Sequence, residues 1–387
     1  MINLNNVISG AIFLILGIAS CSASNYKTKD TTQIKSSALF ANNKAHEIKV
    51  STPEEVLTAV KNVKPGDVIL VKGGNYAFNE RINIKINGKV DSIITFKADP
   101  SDTQRPKFDF SALAEGDANQ GIILRTSYWH IKGIDISKAG DNGILITGGN
   151  NNIIEFCTFS ECLDTGLQLI AGAANNLILN CDSYFNADSK IEDADGFACK
   201  IDAGSGNKFK GCRAWQNLDD GWDGYLKRTD NVNTTYEDCW AFGNGLLKDG
   251  TKGQGDGNGF KTGGSDDKLL KHNATYINCL STLNTKNGFA HNSNRGSVEL
   301  LNCTSFLNAE KNLNFGSKNQ VSKLTIKNTV VFGKVGSLEA DEKVIENNSW
   351  QLAKEFKMGD FVSLDLKELS KPRKADGSLP NIKIPKN

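Results

Sequence analysis

The chain has 387 residues, 39% of them hydrophobic, which is ample for a packed core and would ordinarily suggest two or three domains. Its formal net charge is +1 and it holds no run of Lys or Arg, which argues against a nucleic-acid footprint. A polyanionic partner then requires a local cation to supply the attraction, and 37 glycines against 7 prolines fit a chain of many turns without proline breaks.

Val7 to Ser20 (VISGAIFLILGIAS) is apolar but short for a bilayer span, and it ends in Ile18-Ala19-Ser20-Cys21. The expectation is a lipoprotein-type signal over 1–21 with Cys21 acylated, the only membrane link, on an exported protein that is periplasmic, at the cell surface or secreted. A buried N-terminal helix is the alternative. Residues 22–44 are polar and read as a tether.

Ser51 to Val63 (STPEEVLTAVKNV) opens with a Ser/Thr cap, then Glu, then an apolar periodicity. It reads as a short helix that closes the open end of a solenoid. Strands are expected at Asp67–Lys72, Ile93–Lys97, Gly121–Arg125, His130–Ile136 and Gly143–Thr147. From Gly143 a repeat is plain. Cys157, Cys181, Cys212, Cys239, Cys279 and Cys303 each end a strand pattern such as LILNC or TYINC, at intervals of 24, 31, 27, 40 and 24 residues. Five residues after each stands Asn186, Asn217, Asn244, Asn284 or Asn308, with Cys162 in the first copy. Residues at one point of successive coils stack, so the cysteines read as small apolar core groups and the asparagines as a turn ladder. No CxxC pair exists to suggest a metal site.

The architecture expected is all-β, a right-handed parallel β-helix over 45–338, fading after Phe332. An aperiodic extension over 339–387 is expected along its exterior. Longer intervals carry insertions at Ala187–Glu192 and Gly245–Gly257, and loops gathered on one patch of a rigid scaffold commonly build a site.

Beside those insertions a triplet recurs: Asp195-Gly196-Phe197, Asp220-Gly221-Trp222 and Asn258-Gly259-Phe260. Phe197, Trp222, Phe260 and Phe289 read as a core column. The position after each aromatic is Ala198, then Asp223, then Lys261. Strands of one sheet lie roughly 4.8 Å apart, so Asp195 and Asp220 should be about that close, with Asp219 and Asp223 beside them. Four crowded carboxylates repel unless a cation sits among them, and oxygen-only ligands favour Ca²⁺ over Mg²⁺. Solvated turn aspartates are the plainer alternative. Lys261 next to such an ion suits a general base, the alternative being a salt bridge to the aspartate one coil away.

DADGFACK, DDGWD and NGFKTGG together resemble the motifs of family 9 polysaccharide lyases, the pectate lyase group. The resemblance runs from about Ala45 onward and includes the tail PRKADGSLP. It implies a β-helix with Ca²⁺ held by Asp195, Asp219, Asp220 and Asp223, and Lys261 as the base. The implied reaction is β-elimination on a 4-linked uronate in an acidic plant cell-wall polysaccharide. Polygalacturonate is the first substrate, with the rhamnogalacturonan I backbone as the alternative. A non-catalytic carbohydrate-binding β-helix would have no need of Lys261 opposite four carboxylates, and a hydrolase would need a free carboxylic acid across the bond. Lys200, Lys227, Arg228, His291 and Arg295 are candidates to hold substrate carboxylates, against the alternative of ordinary surface charges. A monomer is expected.

Overall fold

The computed structural model describes residues 45–352, 356–361 and 365–382. The signal, anchor and tether read from 1–44 lie outside these residues. Among the described residues no helix is long and apolar enough to cross a membrane.

The chain winds through three parallel sheets of twelve, ten and ten strands, and every ladder between named strands is parallel. Each coil visits them in turn. The coil after Cys157, for example, runs through Thr158–Ser160, Leu167–Ile170 and Leu177–Leu179. We call the sheet containing Leu177–Leu179 the first, that containing Leu167–Ile170 the second, and that containing Thr158–Ser160 the third.

Alternation explains the interior. In Phe197–Cys199 the ring and the thiol point into the core cluster and Ala198 points out. Phe197, Trp222, Phe260 and Phe289 stack coil upon coil at centroid distances of 5.0, 4.7 and 4.8 Å. The aromatic column is core, as read. The ladder cysteines are buried free thiols, and each directs its Sγ to carbonyls of its own and the preceding coil, as Cys181 does to Ile154 at 3.5 Å.

The residue before each ladder cysteine has a positive φ, from Phe156 and Asn180 through Gly211, Asp238, Asn278 and Asn302. Asn, Asp and Gly tolerate that left-handed turn best, which is why Asn, Asp or Gly precedes five of the six. The asparagine ladder is continuous. The Asn186 amide donates to Asn217 Oδ1 at 2.8 Å, Asn217 to Asn244 at 3.0 Å, Asn244 to Asn284 at 2.9 Å and Asn284 to Asn308 at 2.8 Å. Buried amides paired this way leave no cost of unmet hydrogen bonds at the turn that leads into the second sheet.

The helix spans Pro53–Asn62, with Thr52 as N-cap accepting from Glu55 N at 3.2 Å, and it buries Val56, Ala59 and Val60 in the core. The segment expected as one strand over His130–Ile136 is two, Trp129–Lys132 and Asp135–Ser137, divided at Gly133. The solenoid also continues past Phe332. Val335–Leu338 joins the second sheet, and Ala340–Glu346 pairs with Val321–Lys327 in the first. The latter strand reads ADEKVIE because it ends its sheet, where charge is tolerated and no apolar alternation is required.

Beyond it, Phe361 and Leu369 pack on Trp215, Trp240, Phe242, Leu280 and Phe306, which face outward from the third sheet. Arg213 donates to the carbonyls of Leu369 and Lys371 at 2.9 and 2.8 Å, while Arg213 and Arg373 both grip the Asp182 carboxylate. The extension expected over 339–387 thus begins as a solenoid strand, Ala340–Glu346, and only later do Phe361, Leu369 and Arg373 pack against the third sheet's outer side.

Candidate active site

The site is assembled where the chain enters the second sheet. Asp195, Asp220, Asn258 and Asn287 occupy one column, two residues before Phe197, Trp222, Phe260 and Phe289. Neighbours along the column are hydrogen-bonded: Asp220 N donates to Asp195 Oδ1 at 3.2 Å, Asn258 Nδ2 to Asp220 Oδ1 at 2.9 Å and Asn287 Nδ2 to Asn258 Oδ1 at 3.0 Å. Gly196, Gly221 and Gly259 follow because the coils touch there. A Cβ on Gly221 would sit 2.5 Å from the Gly259 carbonyl oxygen.

Asp223 pairs with Lys261 across the next strand, so the alternation that buries Trp222 and Phe260 turns both charged groups outward together. Lys261 Nζ lies 2.5 Å from Asp220 Oδ2, 3.7 Å from Asp219 Oδ2, 3.7 Å from Asp223 Oδ1 and 3.5 Å from Asp256 Oδ2. Lys200 Nζ lies 2.8 Å from Asp195 Oδ2 and 3.6 Å from Asp223 Oδ2. All four sequence-derived aspartates and Lys261 therefore meet in one volume.

The electrostatics are those of crowded, buried carboxylates. Burial first, and neighbouring carboxylates second, push Asp195 up to about 8 and Asp220 up to about 7. Burial also lifts Asp219 to about 7, against the pull of Lys261. For Lys261 burial disfavours the ammonium, but Asp220, Asp223 and Asp219 outweigh it and hold the amine well above its ordinary value. An ion beside Lys261 would lower it, which is the direction expected from the sequence. Without one the direction is reversed, because the aspartates then have only the lysines to answer them.

A hard cation fits these residues. Asp220 Oδ2 and Asp223 Oδ1 are buried and face only the Lys261 ammonium, at 2.5 and 3.7 Å, and the candidate ligand atoms are all oxygen. Carboxyl oxygens of Asp193, Asp195 and Asp219 lie within 4.8 Å of one another, as do those of Asp219, Asp220 and Asp256.

A family profile described as "Pel9A-like, right handed beta helix region" matches residues 38–329. The chain belongs to this family. The family lies within the group of polysaccharide lyases that includes pectate lyases and a rhamnogalacturonan lyase. A pectate lyase L of Paenibacillus polymyxa is 42% identical over 275 residues, 66% of this chain, and the chain spans 59% of that relative's length. The crystal structure of pectate lyase Pel9A superposes with a TM-score of 0.78 at 30% identity, covering 88% of each chain. A structure titled rhamnogalacturonan lyase does so with a TM-score of 0.75 at 27% identity, covering 88% of this chain and 96% of the other.

In this Pel9A-like site two acidic residues escaped the sequence reading. Asp193 precedes the first triplet, and Asp256 is delivered by the Gly245–Gly257 insertion, whose Asp256 N donates to Asp219 Oδ1. Asp256-Gly257 is itself an Asp-Gly pair in the sequence of that insertion, and that was the available signal. The two insertions touch, with Gln254 N donating to Ile191 O at 2.9 Å.

The five candidate substrate cations separate. Lys200 joins the carboxylates. Arg228 is tied to Asp202, with its Nε 2.7 Å from Oδ2. Arg295 reaches the Gln320 carbonyl and Asp341, and Lys227 is exposed. His291 rests against Phe315 and faces the Gly316 carbonyl at 3.2 Å.

Proposed function

We propose that this chain, a polysaccharide lyase by family, cleaves a 4-linked galacturonate polymer by calcium-dependent β-elimination with Lys261 as base. The observation that carries the reading is the convergence of Lys261 Nζ on Asp219, Asp220, Asp223 and Asp256 within 3.7 Å, on an outward face.

Asp195, Asp219, Asp220 and Asp223 are the residues that would hold Ca²⁺. The ion, when bound, would neutralise the substrate carboxylate at C6 and the charge that develops as C5 loses its proton. The aspartates would then be engaged by the ion, and Lys261 would lose the partners that hold it protonated. Its neutral amine takes the C5 proton. The C5–H electron pair becomes the C4=C5 double bond, and the C4–O bond breaks with its electrons leaving on the glycosidic oxygen. Lys261 stands one strand from Asp223, so a single ladder would serve both the base and a metal ligand.

Polygalacturonate and the rhamnogalacturonan I backbone both contain such a uronate, and the likeness to a rhamnogalacturonan lyase structure keeps the second in view. Accumulation of unsaturated product, followed by absorbance on each polymer with calcium and with a chelator, tests the reading. No unsaturated product from either polymer refutes it. For residues 1–21 we retain export with lipidation at Cys21, which the mass of the mature N-terminus tests.

A further inference from the structure

The outward column that carries Asp223 and Lys261 continues toward the N-terminal coils as Ala198, Gln168, Leu145 and Ile123. Their strand neighbours Ile122, Leu124, Ile144, Ile146, Leu167 and Leu169 belong to the core, whereas Ile123, Leu145 and Ala198 do not. Leu145 is 8% exposed and Gln168 and Asp223 6% each, so all three are largely covered on this outward-turned column. Gln168 Oε1 is buried and accepts no hydrogen bond. With coils about 4.8 Å apart, Gln168 stands roughly 10 Å and Leu145 roughly 14 Å from Asp223, the reach of a few sugar units.

The wall beside this part of the column is acidic. Glu115, Asp117, Asp141, Asp164, Asp188 and Asp193 line a cavity of about 160 Å³ whose walls include no lysine or arginine. Asp141, Asp164, Ala194 and Asp219 share one column, so acidic residues reappear upstream of the active site beyond Ala194. Burial and Asp164 together push Asp141 up to about 7. Lys200, the nearby cation, is engaged by Asp195 and Asp223. On the other side of Lys261 stands Lys286, paired with Asp256.

A polymer of free galacturonate would place carboxylates against this wall, and like charges brought together without a partner are strongly disfavoured. We propose that Leu145 and Gln168 form a subsite for an uncharged sugar unit with an apolar edge, upstream of the cleaved uronate. Gln168 Oε1 accepts a sugar hydroxyl there, and Leu145 packs against a methyl or methylene group. The subsite deepens the β-elimination reading and rests on it. Two units share the required chemistry: the 6-deoxyhexose of an alternating backbone, and a methyl-esterified galacturonate.

The test compares kcat/KM at fixed calcium on fully de-esterified polygalacturonate, on the rhamnogalacturonan I backbone and on highly methyl-esterified pectin. One of the last two should exceed polygalacturonate by about tenfold or more, and which one does so identifies the unit. Leu145→Lys should narrow that ratio by about tenfold, and Leu145→Met should leave it in place. Asp141→Asn with Asp164→Asn, a change on the wall that spares the column, should raise kcat/KM on polygalacturonate alone. Polygalacturonate as the best substrate, with neither Leu145→Lys nor the wall variant altering the ratio, overturns the subsite while leaving the lyase reading intact. No product from any of the three overturns the lyase reading itself.

Discussion

Replacing Lys261 with Met separates what the amine does for stability from what it does in catalysis. The substitution removes one charge and keeps most of the stem. Asp220 is fully buried and loses its 2.5 Å partner, and stripping one member of a buried ion pair costs about 3–5 kcal/mol. The cost depends on pH. Burial and Asp219 raise Asp220 to about 7 even with Lys261 pulling it down, so the variant's carboxyl sits higher still. A carboxyl with a raised folded pKa binds more protons folded than unfolded, so stability falls as pH rises from its unfolded value near 3.9. Lys261→Met should therefore melt close to wild type at pH 4 and fall short by about 3–5 kcal/mol at pH 8 without calcium. Saturating calcium should restore the melting temperature, because the ion replaces the ammonium among the carboxylates. It should not restore turnover, which should stay down by about 10²–10⁴ for want of a base. Thermal unfolding by circular dichroism at both pH values, with and without calcium, gives the first pair of results. Product absorbance at saturating calcium gives the other. Turnover within tenfold of wild type would refute the base, and a deficit independent of pH would refute the electrostatic account.

Other perturbations read different parts of the coil. Burial works to raise Asp182, but Arg213 and Arg373 outweigh it and hold the carboxyl below its ordinary range. Its contribution is therefore present above about pH 4 and lost as pH falls through the lowered value, so Arg373→Met should cost about 3 kcal/mol in urea unfolding at pH 7 and much less below pH 3. Asn217→Ala removes amide bonds to Ser183 O and Asn244 and two accepted from Asn186. A loss of about 3 kcal/mol is expected in the same assay, and a loss under 1 kcal/mol would mean the ladder contributes little to stability. Gly221→Ala forces a methyl against the Gly259 carbonyl and should displace Asp220. Calcium affinity by titration calorimetry should drop about tenfold or more even in protein that folds.

The parts legible in sequence were those that repeat. The cysteines, the asparagines and the Asp-Gly or Asn-Gly aromatic triplets recur because each coil meets the same sterics, and repetition exposes a column without any structure. The same reasoning placed Asp223 and Lys261 side by side. The residues that escaped it do not repeat. Asp256 arrives on an insertion with no counterpart in the next coil, and Asp193 sits outside the triplet. Ala340–Glu346 is a strand whose terminal position removes the need for alternation. The reversed direction at Lys261 escaped for another reason: it depends on the balance between six nearby carboxylates and three lysines, Lys200, Lys261 and Lys286, and spacing alone does not report which charges outnumber which.

That balance also explains why a solenoid can host this site. In the column Gln168, Ala198, Asp223, Lys261, Ala290 the chemistry changes at every coil, while the core on the inward side keeps an aromatic or aliphatic ring or chain at the matching positions. The inward positions carry the packing, so the outward ones are free to vary with little cost to the fold. At Asp195 and Asp220 the site reaches into the turn column itself, where both side chains accept hydrogen bonds from the neighbouring coil. Those two aspartates are therefore ladder members as well as the proposed calcium ligands. Their replacement by Asn should keep part of the ladder and lose the charge, whereas at Asp223, whose side chain makes no ladder bond, Asn should alter the ion and leave the coil alone. Comparing Asp220→Asn with Asp223→Asn by calcium titration and by melting without calcium tests this. Calcium binding should fall in both. Melting without calcium should move more for Asp220, and an equal shift in the two variants would place both residues outside the ladder.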